Sequence, residues 1–412
     1  MKTIPAFLIV TGLLLLLPNR GTSQDPAKQV PEIRPDLVVH EWGTFTQVVG
    51  SDGASIPWWT PYLEGPAALP AFVKSVPRIS LSKGGNAWLS RMETPVLYFY
   101  ADAPVRLSVE VDESKVPLTE VYPQLSNLTH PFLSAPNPGQ KNPTARWDIE
   151  ILPPAAAAGQ SIPQVGARGA HYRHARDVPE AWLVKNVSPK AEKAEVEKFI
   201  FYRGAGHESM PISISRVNNG SVSLHASRST RFLIQVNDKE FRWSRIAPSA
   251  NDERKVALFP TKDRKAHTDQ AALESVLTEE LVADGLTPEE ARAMVATWRE
   301  SWMEETGLRL LELLPRPWID RTLPLSISPQ PAATERVFVA RWEILPPALE
   351  SEVLTLLEGS ESIERKMAKL SQLDVGRFGT ALFDRVAHLR DRQFRSTYRS
   401  EIANLLMPKT AN

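Results

Sequence analysis

The sequence predicts an α+β protein: a β-sandwich-like N-terminal domain followed by a mixed α/β domain with a helical hairpin and a helical C-terminus. Two observations carry this prediction. Short runs in which apolar and polar residues alternate dominate the chain up to about Pro260, and such alternation is typical of half-buried strands. Helical spacing of apolar residues begins near Ala266 and returns towards the C-terminus, which favours helices there.

The first half of the chain consists mainly of predicted strands. The run VRLSVEVD at 105–112 alternates, as do RWDIEIL, SVSLHA and TRFLIQV further along. The run PVLYFY at Pro95–Tyr100 is apolar on both faces, as expected for a central strand. Proline-rich joints separate these runs. Many short strands without intervening helices favour a sandwich over repeated βαβ units.

The second half begins with two predicted helices. The first stops at Gly285. The second opens with Thr287 as N-cap, Pro288 in the first turn and Glu290 completing a capping box, and it ends at Gly307. Strand-like runs follow in LRLLELLP and ERVFVARWEIL before helical spacing returns. This half is therefore predicted to mix helices and strands.

The N-terminus predicts export. Lys2 precedes the apolar stretch IPAFLIVTGLLLLLP, and small residues up to Ser23 suit cleavage after that position. An uncleaved anchor is the alternative. We therefore expect a signal peptide at 1–23, a polar, proline-containing linker at 24–36, a β-rich domain at 37–262 and a mixed domain at 263–412.

Composition excludes several classes of function. The 412 residues carry equal numbers of acidic and basic side chains, so no basic surplus predicts a nucleic-acid partner. The absence of cysteine excludes disulfides, thiolate metal sites and cysteine nucleophiles. A cysteine-free exported chain fits a bacterial periplasm or cell exterior. No second apolar run has spanning length, so we expect no stable membrane span after cleavage, and the oligomeric state stays open.

The stretch VVHEWGTFTQVV places His40 and Glu41 side by side in a strand-like run. A zincin would need a second histidine at position 44, which is threonine. Adjacent strand residues point to opposite faces, so one member of the pair turns inward. A buried glutamate needs a partner, and Arg91 or Arg203 is the predicted one. A structural ion pair and a functional acid are both compatible with this pattern.

One functional hypothesis is a hydrolase of unrecognised type. Its catalytic candidates are Glu41 or Glu93 as general acid/base, His40 or His171 as partner, and Arg203 as an oxyanion clamp. His171 and His174 would share one face of a helix, but the flanking residues predict a loop and no third ligand is evident. We therefore expect no metal and no cofactor.

The other hypothesis is a non-enzymatic envelope or ligand-binding protein for a glycan or peptide. Trp58, Trp59 and Tyr62 lie in the proline-rich stretch SIPWWTPYLEGPAALPAF and, with Arg91 nearby, form the predicted binding residues. Aromatic rings bind such ligands by stacking at low entropic cost. The alternative is a loop that its tryptophans fix to the core. The absence of any intact catalytic motif favours the ligand-binding hypothesis.

A polar cluster follows the second predicted helix. The stretch LPRPWIDRTLPL contains Arg316, Asp320 and Arg321 beside Trp318. We interpret the cluster as a structural ion-pair group rather than a catalytic one.

Several motifs together resemble a family of exported bacterial proteins from environmental phyla such as Planctomycetes. They are VVHEWGTFTQV, RMETPVLYFY, EKFIFYRGAG, TWRESWMEETG and LLPRPWIDRTLPLSISP, and they span nearly the whole chain after the signal. The resemblance implies export and the extent of the chain, and it supplies no catalytic residues. Members usually read FLFYRG-G-N where this chain has His207 and Glu208, so the resemblance argues against that pair as an essential site.

Overall fold

A computed structural model describes residues 33–58, 69–76, 88–128, 143–167, 169–189, 194–211, 214–237, 240–251, 253–258, 267–370, 372–373 and 378–390. The predicted signal peptide, most of the predicted linker, Trp59 and Tyr62 lie outside these residues. Strands and helices are both extensive in the described part of the chain, which confirms the α+β class.

The strands have the following bounds: β1 Ile33–Val49, β2 Ser55–Ile56, β3 Lys74–Ser75, β4 Ser90–Tyr100, β5 Val105–Asp112, β6 Leu118–Tyr122, β7 Asn127–Leu128, β8 Thr144–Leu152, β9 Leu183–Asn186, β10 Val196–Glu197, β11 Ile200–Gly206, β12 Ile214–Asn218, β13 Ser221–Leu224, β14 Arg231–Asn237, β15 Glu240–Ile246, β16 Arg254–Ala257, β17 Gly307–Leu313, β18 Leu325–Ser328 and β19 Gln330–Ile344. The α-helices are α1 Gln270–Ala283, α2 Pro288–Arg299, α3 Arg316–Thr322, α4 Pro347–Glu358, α5 Ile363–Leu370 and α6 Gly379–Arg390. Two 3₁₀ helices span Pro154–Gly159 and Ala170–Arg176, and a π-helical turn spans Glu300–Glu304.

A ten-stranded sheet, called the main sheet below, organises the described part of the chain. Its order is β15-β14-β17-β19-β1-β4-β11-β6-β3, with β2 pairing β1. The central strands β1 and β19 run parallel, with Glu41 opposite Arg336, whereas β1 and β4 are antiparallel. The main sheet thus joins strands from both sides of the predicted domain boundary between residues 262 and 263.

A second sheet packs on one face of the main sheet. Its order is β10-β9-β8-β5-β18, with β7 pairing β8. The predicted alternation of its strands is confirmed, because Leu107 and Val109 of β5 and Trp147 and Ile149 of β8 are buried. These residues share one hydrophobic core with residues of the main sheet such as Phe45. The face-to-face layering is the sandwich-like arrangement that the N-terminal half predicts.

Helices cover the opposite face of the main sheet. Trp42 and Tyr98 of the sheet pack in a second core with Leu277 of α1 and with Met294 and Trp298 of α2. A third core joins α4, α5 and α6 to the end of β1. The main sheet is therefore covered on both faces, so a charged side chain in its central strands must find its partner inside the protein.

Helix α2 begins where its sequence predicts. Thr287 is the N-cap, Pro288 opens the helix, and Thr287 and Glu290 form a capping box. Two local predictions are corrected. Strand β1 begins at Ile33, inside the predicted linker 24–36, because it pairs with the start of β19. The HYRHARD stretch forms a 3₁₀ helix at Ala170–Arg176 rather than a loop.

Candidate ligand-binding cleft

His40 and Glu41 lie on opposite faces of the main sheet, as their adjacency in a strand predicts. His40 contacts Glu290 of α2, on the helical side. Glu41 is fully buried and accepts hydrogen bonds from Tyr202 and Arg336. The two side chains therefore act in separate environments and do not form a joint chelating pair.

The partner of Glu41 is Arg336 of β19, which corrects the prediction of Arg91 or Arg203. Arg336 is the register neighbour of Glu41 on the adjacent parallel strand, so their side chains emerge on the same face at the shortest inter-strand spacing. Arg91 instead faces Glu93, with their side chains 3.7 Å apart, and Arg203 donates to Oγ1 of Thr94 at 3.3 Å.

His40 belongs to a polar group built around Glu290. Nδ1 of His40 lies 2.8 Å from Oε2 of Glu290, and the hydroxyl of Tyr100 donates to Oε1 at 2.6 Å. The backbone N–H of Thr287 also donates to Oε2. Burial and the neighbouring Glu290 carboxylate raise the pKa of Tyr100. The Glu290 carboxylate therefore holds both the N-terminus of α2 and the imidazole of His40.

The remaining catalytic candidates occupy other places. Glu93 is fully buried and accepts from the Thr46 hydroxyl at 2.7 Å. Arg203 is 2% exposed. His171 lies in the 3₁₀ helix at Ala170–Arg176. None of the five candidates lines the two cavities described below, and their contacts place His40 and Glu41 on opposite faces of the main sheet.

Trp58 is a core residue rather than an exposed stacking surface. It is 3% exposed and forms an antiparallel bridge with Trp88. Its ring lies 5.3 Å from that of Phe378, measured between centroids. This contact joins it to the C-terminal helical core. Trp58 therefore agrees with the alternative prediction, in which the tryptophans of the loop are fixed to the core.

Two adjoining cavities form a cleft that includes residues of β17 and β19. The larger has a volume of about 950 Å³ and the smaller about 570 Å³. Arg316 and Arg336 line both of them. Small-molecule sites in proteins commonly have volumes of about 300–1,000 Å³, so the larger cavity alone can hold a small ligand. We call the two cavities together the arginine cleft.

A compact charged network holds the two arginines of the cleft. Arg316 donates through Nε to Asp320 at 2.9 Å, and Arg336 donates through Nη1 to the same carboxylate at 3.0 Å. Arg316 also donates to the backbone carbonyl of Thr334 at 2.8 Å. The structural ion pairing predicted for the cluster of Arg316, Asp320 and Arg321 is present between Arg316 and Asp320. The network fixes both guanidinium groups before any ligand arrives.

Two buried donors in the cleft have no hydrogen-bond partner among the described residues. They are Nη2 of Arg336 and Nε1 of Trp342. Arg336 is 4% exposed and Trp342 is 2% exposed, and both line the larger cavity. A buried N–H without an acceptor costs about 1–3 kcal/mol.

Burial raises the pKa of the Glu41 carboxyl, and the Arg336 guanidinium opposes part of that rise. The proton-bound form of Glu41 is therefore favoured relative to an exposed glutamate.

The residues of the cleft were mostly missed from the sequence, because six separate parts of the chain line its larger cavity. They are Pro211, 226–229, 248–250, Asp284, 312–316 and members of 335–342. In the sequence, only the cluster of Arg316, Asp320 and Arg321 indicated this place. A second signal was present in ERVFVARWEI, where Arg336 is buried in a strand rich in apolar residues.

Comparisons with known proteins add no assignment. No protein-family model matches this chain, and no curated protein sequence matches it significantly. One similar solved structure is the Fcho1 Mu homology domain from Danio rerio with bound Eps15 peptide, with a TM-score of 0.25 and 10% identity over 76% of this chain and 98% of that chain. A TM-score of this size carries no argument about fold or function.

None of the described helices combines the length and apolarity needed to cross a membrane. Within the same residues, no group of three or more histidine, aspartate or glutamate side chains is placed to hold a metal ion.

Proposed function

We propose that this protein is an exported binding protein whose arginine cleft holds a small ligand through an acid group. The observation that carries the proposal is the pair of arginines that line both cavities, Arg316 and Arg336, which the Asp320 carboxylate holds together. A carboxylate offers two oxygens as acceptors, and charge-assisted hydrogen bonds from arginine are the stronger kind. Peptides and glycans with a carboxylate share this chemistry.

The fixed geometry of the cleft supports binding. Asp320 and the Thr334 carbonyl hold Arg316, while Glu41 and Asp320 hold Arg336. Little side-chain freedom is therefore lost when a ligand docks, which favours affinity. The apolar part of the wall, with Leu314, Ala340 and Trp342 among its members, suits the remainder of a small ligand.

Calorimetric titration of the intact chain tests the proposal with four probes. Acetyl-Ala-Ala and N-acetylmuramic acid each carry one carboxylate, on a peptide and on a sugar. Acetyl-Ala-Ala-amide and N-acetylglucosamine are their neutral counterparts. We expect saturable binding of at least one acid and about tenfold weaker or no binding of its neutral counterpart, because losing a charge-assisted contact costs about 1.5–3 kcal/mol. Which acid binds distinguishes a peptide ligand from a glycan.

Two variants of helix α3 make the titration specific. Arg316→Gln removes a guanidinium that lines both cavities, and its side chain is 40% exposed, so the fold tolerates the change. Arg321→Gln removes an exposed arginine of the same helix that lines neither cavity. We expect weaker acid binding only in Arg316→Gln. Equal binding by acids and neutral counterparts, or no binding up to millimolar concentration, contradicts the proposal.

Export is part of the proposal and rests on the N-terminal sequence, where Lys2 precedes an apolar stretch that ends near Ser23. The measurement is the N-terminus of the protein recovered from a bacterial host with a periplasm. Intact-mass analysis of the periplasmic fraction should give a chain that begins at Gln24. A chain that keeps Met1 and stays in the cytoplasmic fraction contradicts export.

A hydrolase is the second candidate, and one observation favours it. The imidazole of His40 is 12% exposed and is oriented through Nδ1 by the buried carboxylate of Glu290, an arrangement that suits a general base. Assays with chromogenic ester, phosphate and glycoside substrates test this reading. Turnover that disappears in His40→Gln and persists in His207→Gln supports it, and equal rates in both variants reject it.

A further inference from the structure

We propose that the acidic wall of the larger cavity, Asp284 and Glu335, binds an ammonium group, so that the ligand of the arginine cleft is a zwitterion such as a short peptide with a free N-terminus. This inference rests on the proposed function and names the ligand class of the same site. Peptides are favoured over sugar acids because a free peptide carries an ammonium and a carboxylate together.

The charges that line the larger cavity motivate the inference. The cationic members are Arg228, Arg316 and Arg336, and the acidic members are Asp284, Glu312 and Glu335. A ligand with only an acid group would leave the acidic members facing it, and like charges repel. A ligand that carries both charges is complementary to both parts of the wall.

Asp284 and Glu335 form one acidic patch. An ideal Cβ atom on Gly285, the residue after Asp284, would lie 3.3 Å from Oε2 of Glu335. The nearest cation to Glu335 is Arg316, at 4.0 Å, and no described cation lies within ion-pair distance of Asp284. The patch therefore sits directly beside the arginines, at a separation that one short ligand can bridge.

The position of Asp284 is electrostatically unfavourable in the absence of a cation. It is the C-cap of α1, where the helix dipole disfavours negative charge. Although the residue is exposed to solvent, the protein around its carboxyl group desolvates the charge and raises its pKa, and Glu335 and Glu280 raise it further. A bound ammonium group would stabilise the carboxylates of Asp284 and Glu335 together.

The buried donors of the cleft make this more than an acidic cluster. Arg336 is nine-tenths buried, lines the same cavity as Asp284 and Glu335, and has an Nη2 without a partner among the described residues. The cavity thus presents a donor for a carboxylate and acceptors for an ammonium group. Both are needed to orient a zwitterion and to reject ligands with a single charge.

Calorimetry with two peptides tests the inference on the intact chain. Ala-Ala carries an ammonium and a carboxylate, and acetyl-Ala-Ala carries the carboxylate alone. We expect Ala-Ala to bind up to about fivefold more tightly, as one additional partly exposed ion pair allows. The advantage should disappear in Asp284→Asn and in Glu335→Gln, where acetyl-Ala-Ala should bind no more weakly than it binds the unaltered chain. Glu289→Gln is the control, because Glu289 lies in the first turn of α2, is partly exposed and does not line the cavity.

The outcomes separate the two proposals. Equal affinities for Ala-Ala and acetyl-Ala-Ala, or an advantage that survives both variants, overturn the ammonium site and leave the carboxylate site standing. If Ala-Ala, acetyl-Ala-Ala and N-acetylmuramic acid all fail to bind, both this inference and the proposed function are overturned. Binding of N-acetylmuramic acid with no binding of either peptide rejects the peptide class alone. Circular dichroism spectra of the variants that match the unaltered chain show that the comparison concerns folded protein.

Discussion

Glu41 and Arg336 are register partners on the two parallel strands at the centre of the main sheet, and they form an ion pair in which both side chains are almost completely buried. They are 295 residues apart in the chain. The pair thus joins the first described strand to the second half of the protein. Because Arg336 also lines the arginine cleft, the same contact connects the core to the candidate binding site.

Arg336→Met should lower the free energy of unfolding by about 3–5 kcal/mol, because it leaves the Glu41 carboxyl buried without its cation. The double variant Glu41→Met, Arg336→Met should recover a large part of this loss, since matched apolar replacements of buried pairs are often neutral. Urea unfolding with a constant m value measures both effects. Additive losses in the double variant would show that the two residues do not stabilise each other.

Glu41→Gln should change the pH dependence of stability. The folded-state pKa of Glu41 is raised by burial, so its contribution to stability is fully present below the unfolded-state pKa. That contribution is lost as the pH rises through the folded-state pKa. The variant keeps an acceptor for Tyr202 and lacks this loss, so its stability relative to the unaltered chain should increase with pH above about 4.5.

Urea unfolding across a pH series measures the effect of Glu41→Gln, and Glu352→Gln on an exposed position of α4 is the control. The control should follow the unaltered chain throughout the series. A constant difference between Glu41→Gln and the unaltered chain at every pH would mean that Glu41 does not titrate differently in the folded and unfolded states.

Glu290→Ala should destabilise the protein by about 3 kcal/mol, because Tyr100, His40 and the backbone of Thr287 all lose one acceptor. Thr287→Ala removes only the side-chain cap and should cost about 1 kcal/mol. Glu289→Ala, which removes a partly exposed ion pair with Arg292, should cost less than about 1 kcal/mol. Thermal or urea unfolding orders the three variants, and equal losses in all three would reject the role given to Glu290.

Gly307→Ala should destabilise the protein by about 1–3 kcal/mol or more. Gly307 has a φ of +150°, which side chains rarely adopt, and an added Cβ would meet Glu343 and lie 2.6 Å from Nη2 of Arg309. These two residues form a buried ion pair. Gly220→Ala is the matched control, because nothing lies within 4 Å of its added Cβ. A stability loss of equal size in both variants contradicts this account.

Local features of the fold were predictable because local physics determines them. The alternation of VRLSVEVD fixes which side of β5 is buried, and the Thr287–Glu290 capping box fixes the start of α2. The parallel pairing of β1 with β19 was not predictable, because periodicity in one strand does not identify its neighbour. For the same reason, the sequence predicts Arg91 or Arg203, and not Arg336, as the partner of Glu41.

The candidate site was less predictable than the fold. A cleft formed by six separate parts of the chain leaves no compact motif in the sequence, and active or binding sites are recognised by geometry. Arg316 and Asp320 were recognisable as a polar cluster because they are close together in the chain. Arg336, Trp342 and Asp284 acquire their significance only from the cavity that they line together.

A crystal structure of the chain with acetyl-Ala-Ala tests the central claim most directly. The claim predicts a carboxylate oxygen within about 2.7–3.2 Å of a guanidinium nitrogen of Arg316 or Arg336. The Arg316–Asp320 contact should be unchanged in that structure. A peptide bound elsewhere, with no contact to either guanidinium group, would contradict the claim that the arginine cleft is the binding site.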